Sequence, residues 1–217
     1  MSIKRISISF ALSVILALWI PLKCMATVSD AVNYSSDFFN SDYGRALVIQ
    51  NALNNMGRSV SISSRPTVAY GVSYQLSICP SYYISSHGHS NGSQVTLVSG
   101  TTYYTPANVP SSVTAEFVYY SACYSSKTNT VSNQNLCTTT VSNGATCVVG
   151  YSGEVHYYAS DCLERSFYGY CVSPSPSVYI PVSWAMAQAK TYTNSVCGAT
   201  NTATTYVQMY GNGGYHF

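Results

Sequence analysis

The chain has 217 residues, of which only 7% are charged and 47% are hydrophobic, with 21 tyrosines among them. Nine basic side chains stand against seven acidic ones. Lys4, Arg5 and Lys23 fall in the first 26 residues, so the remainder is close to neutral and offers no basic stripe to nucleic acid or to an anionic membrane. Hydroxyls and amides of Ser, Thr, Asn and Tyr must supply the solubility that charge normally provides.

Residues 1–26 read as an export signal. Lys4 and Arg5 open it, an apolar run from Ile6 to Leu22 follows, and Cys24-Met25-Ala26 sets small side chains at the positions a signal peptidase inspects. The run is short for a membrane span, which needs about 20 apolar residues. The expectation is a secreted or cell-surface protein with no membrane contact after cleavage; an uncleaved anchor is the alternative. Residues 27–217 then form one domain's worth of chain.

Asp42 has the chemistry of an N-cap and Gly57 that of a helix terminator. Between them Ala46, Ile49, Leu53 and Met56 recur at three- and four-residue steps, the mark of one buried helical face. Thr67–Ile78 carries alternating Val and Tyr and fits either a strand or a short helix. Tyr82–Ser86 reads as a strand running into His87-Gly88-His89-Ser90-Asn91-Gly92, a loop by its Gly and Asn content. Gln94–Val98 and Thr101–Thr105 flank Ser99-Gly100 as a hairpin. Glu116–Tyr120 is a second buried-type strand ending at Ser121-Ala122-Cys123. Tyr124–Asn143 is polar and expected to be loop-rich, tied down through Cys137. Ala145–Tyr151 is a third apolar strand, closed by Ser152-Gly153. Ser173–Ser177 is a Ser-Pro linker, after which Pro181 suits the first turn of a helix through Trp184, Ala187, Ala189 and Tyr192. Thr204–Tyr210 reads as a closing strand. Strands separated by helical patterns argue for an α/β fold with a mostly parallel central sheet flanked by helices.

In such sheets ligands bind beyond the carboxyl ends of the strands. His87, Cys123 and Ser152 each fall just past a strand end, so neighbouring strands would bring them to one rim. A cysteine attacks as its thiolate, and an imidazole beside it can favour that form or relay protons. Acyl transfer also needs N–H donors where the carbonyl oxygen gains charge; the Gly88 N–H and the Cys123 N–H are placed to serve. Cysteine parity agrees with a special thiol. Removing Cys24 with the signal leaves seven, and if Cys123 is the odd one, Cys79, Cys137, Cys147, Cys162, Cys171 and Cys197 remain for three bridges. A buried Cys147 as the spare thiol is the alternative.

Ile84-Ser85-Ser86-His87-Gly88 resembles the strand-then-His-Gly block of the caspase-like (clan CD) cysteine peptidases, the caspase, legumain, gingipain and clostripain group. Phe117-Val118-Tyr119-Tyr120-Ser121-Ala122-Cys123 is similar to their strand ending in Ala-Cys. Asn143–Gly153 resembles a following glycine-alanine, apolar strand, Ser-Gly segment, and Tyr206–Gly211 their last strand, all in family order. The resemblance implies a caspase-like fold and a peptide or protein substrate. It implies His87 as general acid/base and Cys123 as nucleophile, with no third side chain, no cofactor and no metal. Ser121 stands where several members carry Asp, Glu or Gln, so nothing there predicts cleavage after Arg or Lys, and a neutral or small residue is expected. Ser121, Ser152 and Asp161 are the candidate substrate-binding residues, with Glu154 a further source of charge.

Two rival classes stay open. One is a non-catalytic secreted domain for adhesion or partner binding on the same fold, which would tolerate a bridged Cys123. The other is a metal-dependent hydrolase using His87 and His89 with a third histidine, His156 or His216. Asn33-Tyr34-Ser35 and Asn91-Gly92-Ser93 fit the glycosylation sequon.

Overall fold

The computed structural model describes residues 29–34, 40–64, 69–97, 102–129, 133–173, 175 and 178–217. The expected export signal, the Ser99-Gly100 turn and most of the Ser-Pro linker lie outside the described residues. In chain order, β1 (Asp30–Tyr34), α1 (Asn40–Asn55), β2 (Val60–Ser64), α2 (Ala69–Leu76) and β3 (Ser81–Ser85) come first. A small antiparallel sheet of β4 (Gly88–His89), β5 (Gly92–Thr96) and β6 (Tyr103–Tyr104) precedes β7 (Phe117–Ser121). Then follow α3 (Leu136–Ser142), β8 (Cys147–Tyr151), α4 (Tyr157–Cys171), α5 (Val182–Cys197), α6 (Thr202–Tyr206) and β9 (Val207–Gly211).

Six strands form one sheet in the order β2-β1-β3-β7-β8-β9, parallel throughout except that β9 runs antiparallel to β8. Strands β3, β7 and β8 are buried at every position, which a parallel sheet covered on both faces demands. Successive side chains go to opposite faces. Tyr83, Phe117, Tyr119, Cys147 and Val149 pack with Ile49 and Leu53 of α1, Leu163 and Phe167 of α4, and Ala185 of α5. Tyr82, Ile84, Val118, Tyr120 and Val148 pack with Val72 and Leu76 of α2 and Leu136 of α3. The first layer is largely aromatic: the Phe117 ring stacks on Phe167 at 5.8 Å and meets Phe217 edge-on at 4.9 Å. Asp30 ties β1 across the sheet by accepting from the Ser81 N–H at 2.9 Å and pairing with Arg58.

Several expectations are corrected. Helix α1 begins two residues before Asp42, which therefore lies in its first turn and is not its cap. Gly57 does end it, at φ +79°. The ambiguous Thr67–Ile78 stretch is helical over Ala69–Leu76. Within the stretch read as loop, α3 is capped by Asn135, whose side chain accepts from the Thr138 N–H at 2.8 Å. The closing segment is a short helix before it is a strand. All seven described cysteines are free thiols in this structure, so the three expected bridges are not formed. Asn33 is fully buried, which closes the first sequon, whereas Asn91 is exposed. Among the described residues no helix is long and apolar enough to cross a membrane.

Candidate active site

Strands β3 and β7 are parallel neighbours with Ser85 opposite Ser121. The Ser86 N–H donates to the Ser121 carbonyl at 2.9 Å, carrying the pairing one residue further. His87 and Cys123 each follow two residues beyond the matched pair, so a wide sequence separation closes to one rim of the sheet. Gly88 then passes against the backbone of Cys123. A Cβ added there would lie 1.5 Å from the Cys123 carbonyl oxygen, a clash that only glycine avoids.

His87 and Cys123 line the same cavity, about 100 Å³ in volume, with Asp42, Arg45, Ser121 and Val155 among its other walls. The Cys123 Sγ is half-buried and accepts from the Val155 N–H at 3.3 Å. Burial pushes the Cys123 thiol up, the Val155 N–H partly offsets this, and Glu154 adds to the rise.

Beneath the cavity lies a charged network that sequence reasoning missed. Glu164 of α4 is fully buried and accepts four hydrogen bonds: from Tyr83 at 2.6 Å, Ser121 at 2.6 Å, Tyr151 at 2.8 Å and Arg45 Nη1 at 3.1 Å. Arg45 of α1 is almost fully buried as well. Burial works against its cation, but Glu164 foremost, with Tyr83, Asp161 and Tyr157, holds it charged beyond its ordinary range. A guanidinium has five N–H donors, and here all five are spent. Nε goes to Asp161, Nη1 to Glu164 and Ser121, and Nη2 to the Tyr157 carbonyl and Ser160. The clue in the sequence was position. In a charge-poor chain, Arg45 precedes Ile49 by one helical step on the buried stripe, and Glu164 likewise precedes Tyr168.

Of the candidate substrate-binding residues, Ser121 lines the cavity, but its hydroxyl donates to Glu164 and accepts from Arg45. Ser152 sits off the cavity with its Oγ donating to the Tyr206 carbonyl at 3.2 Å. Asp161 faces a separate groove between α4 and α5 and is paired with Arg45 at 3.0 Å and Arg165 at 2.8 Å. Asp42, not among these candidates, does line the cavity. It is buried in the cavity wall, and its Oδ1 accepts from Ser85 at 3.3 Å. His89 does not join His87: its Nδ1 accepts from the Asn91 N–H at 3.2 Å and its ring meets Tyr103 edge-on. Among the described residues no three His, Cys, Asp or Glu side chains are grouped to hold a metal ion.

A mostly parallel six-stranded sheet between two helical layers is the caspase-like fold. The Arg-specific cysteine proteinase gingipain R superposes with a TM-score of 0.66 at 12% identity, over 87% of this chain and 47% of that one. The complex of the pro- and mature domains of RgpB from Porphyromonas gingivalis gives 0.66 at 11% identity, covering 86% of this chain and 47% of that one. Separase from Saccharomyces cerevisiae, in complex with securin, gives 0.58 at 14% identity over 85% of this chain and 12% of that one. The chain thus spans about half the gingipain chain and a small part of separase. No family model matches the chain, and no curated protein matches it in sequence.

Proposed function

We propose that the chain is an exported cysteine endopeptidase that hydrolyses peptide bonds through a thioester on Cys123. The observation that carries this reading is the shared cavity: His87 and Cys123 line one small pocket at the common rim of β3 and β7. In the proposed reaction Cys123 Sγ attacks the scissile carbonyl carbon while its proton passes to His87. The oxygen that gains charge is held by the N–H groups of Gly88 and Cys123, a role supported by the close approach of the two backbones. His87 returns the proton to the leaving amine, and water then attacks the thioester with His87 as base.

The pocket chemistry favours a basic side chain on the substrate, contrary to the expectation drawn from Ser121. Arg45 has no donor left for a carboxylate, and Glu164 and Asp161 are already matched with arginines. Asp42 is the cavity-lining carboxylate without an arginine partner within ion-pair distance among the described residues. Gingipain R, with the same fold, is Arg-specific.

Three variants test the assignment on a library of peptide substrates. Cys123→Ala and His87→Ala should each abolish turnover with folding intact, since groups that act as a unit fail together. His89→Ala should retain most activity. Full activity in Cys123→Ala would leave the fold without this chemistry.

A further inference from the structure

Three of the seven described thiols are not fully buried: Cys123, Cys162 and Cys197. Cys162 of α4 lines a groove of about 550 Å³ together with Tyr192 and Val196 of α5, and Cys197 follows Val196 directly. The two helices run antiparallel. Tyr170 meets Trp184 ring to ring at one end, and at the other Cys162 shares the groove wall with Val196, the residue before Cys197. Partial burial, and then the Cys162 thiol that hydrogen-bonds to it, push the Cys197 thiol up. Among the described residues no second pair qualifies. Cys79, Cys137, Cys147 and Cys171 are buried out of reach of a soluble oxidant.

We infer that Cys162 and Cys197 form a disulfide when the chain meets an oxidising medium, with a small-molecule disulfide such as glutathione disulfide as the oxidant. One protein thiolate attacks glutathione disulfide, breaking its S–S bond and releasing one glutathione. The other protein thiolate attacks the mixed disulfide and releases the second. Two protein thiols are oxidised, one glutathione disulfide is reduced, and the two protons go to the departing glutathione thiolates.

The bridge would brace the wall of the cavity. Cys162 belongs to the helix that follows Val155, the residue touching Cys123 Sγ. Cys197 leads into α6, where Thr202 Oγ1 accepts from the His156 N–H at 2.9 Å and the Tyr206 carbonyl accepts from the Ser152 N–H at 2.9 Å. Two segments already joined beside the site gain a covalent tie. Closing it also leaves Cys123 as the one described thiol that is not buried; the value of that to catalysis rests on the peptidase reading, whereas the bridge itself does not.

The test uses the protein purified without reductant, equilibrated with glutathione disulfide, alkylated and digested without reduction. The expected result is a Cys162–Cys197 cross-linked peptide and two fewer alkylated thiols than after treatment with dithiothreitol. The melting temperature should rise on oxidation, and that rise should vanish in both Cys162→Ser and Cys197→Ser. Alkylation of both cysteines after oxidation, or separate glutathione adducts without the cross-link, overturns the inference. These readouts are masses and melting points, so an inactive Cys123→Ala protein must give the same answer, which separates failure here from failure of the peptidase reading.

Discussion

At the scale of single residues, Gly88 and Asp42 do what neighbouring side chains cannot. A methyl group at position 88 meets the Cys123 carbonyl oxygen at 1.5 Å, and backbone has to give way. Displacements of about 1 Å at a reacting centre cost about 100-fold in rate. Gly88→Ala is therefore expected to lower kcat/KM by about 100-fold or more while Cys123 stays alkylatable; near-normal kinetics would remove the oxyanion role. Asp42 makes a sharper prediction because function and stability oppose each other there. Burial raises its pKa, with Arg45 and Ser85 only partly offsetting this. Its unfolded-chain value is about 3.9, so the folded state holds the proton more tightly, and ionisation above the raised pKa costs stability. Asp42→Asn should raise the melting temperature at pH 7, and the gain should fade as the pH falls toward about 3.9. On substrates with Arg or Lys at the cleaved position it should lower kcat/KM by about 10- to 100-fold, the worth of a charge-assisted hydrogen bond of about 1.5–3 kcal/mol. Equal losses on neutral and basic substrates would show that Asp42 does not read the side chain.

Among the elements, α4 does most to fix the site. Glu164 on its buried face accepts hydrogen bonds from α1, β3, β7 and β8 at once, so one carboxylate registers the layers under the cavity. Removing one partner of a buried pair leaves the other charge stranded at a cost of about 3–5 kcal/mol. Glu164→Gln, with the same shape, strands Arg45 with only the carboxylate of Asp161, which Arg165 shares. A loss of about 3 kcal/mol or more in denaturant unfolding is expected, and a loss under about 1 kcal/mol would mean that the network is solvated. The strands β3, β7 and β8 were legible because central parallel strands are continuous apolar runs bounded by turn residues. Helix α4 was not: its residues Tyr157–Cys171 mix tyrosine, serine, three of the chain's few charges and two cysteines into a stripe that apolar counting passes over. Strands β1 and β2 were missed because Asn33 and the serines of Val60–Ser64 interrupt any apolar run.

For the whole molecule, scarcity of charge outside is matched by its concentration inside. Asp42 and Arg45 are buried in the wall of one cavity and Glu164 is buried beneath it, while tyrosines such as Tyr70, Tyr158 and Tyr179 are exposed. A charge-poor exterior leaves long-range electrostatics weak, so under the proposed function recognition of a basic substrate side chain would be a contact effect within the pocket. The two aromatic and aliphatic layers keep the central sheet covered on both faces, and that coverage holds the rim of β3 and β7 rigid enough to present two side chains to one space.

The sequence by itself determined the fold class and the dyad candidates, because apolar runs ending in His-Gly and Ala-Cys encode strands, strand ends and reactive side chains locally. Which strands are neighbours was decided only in three dimensions, since the pairing of β3 with β7 is made across a long crossover that carries the small sheet. The tertiary structure also decided the charge of the pocket. Ser121, two residues before Cys123 in sequence, is consumed by Glu164 and Arg45, whereas Asp42, far away in sequence, reaches the cavity wall. Whether a polar group is spent or available depends on its hydrogen-bond partners, and those come from distant elements that no local pattern records.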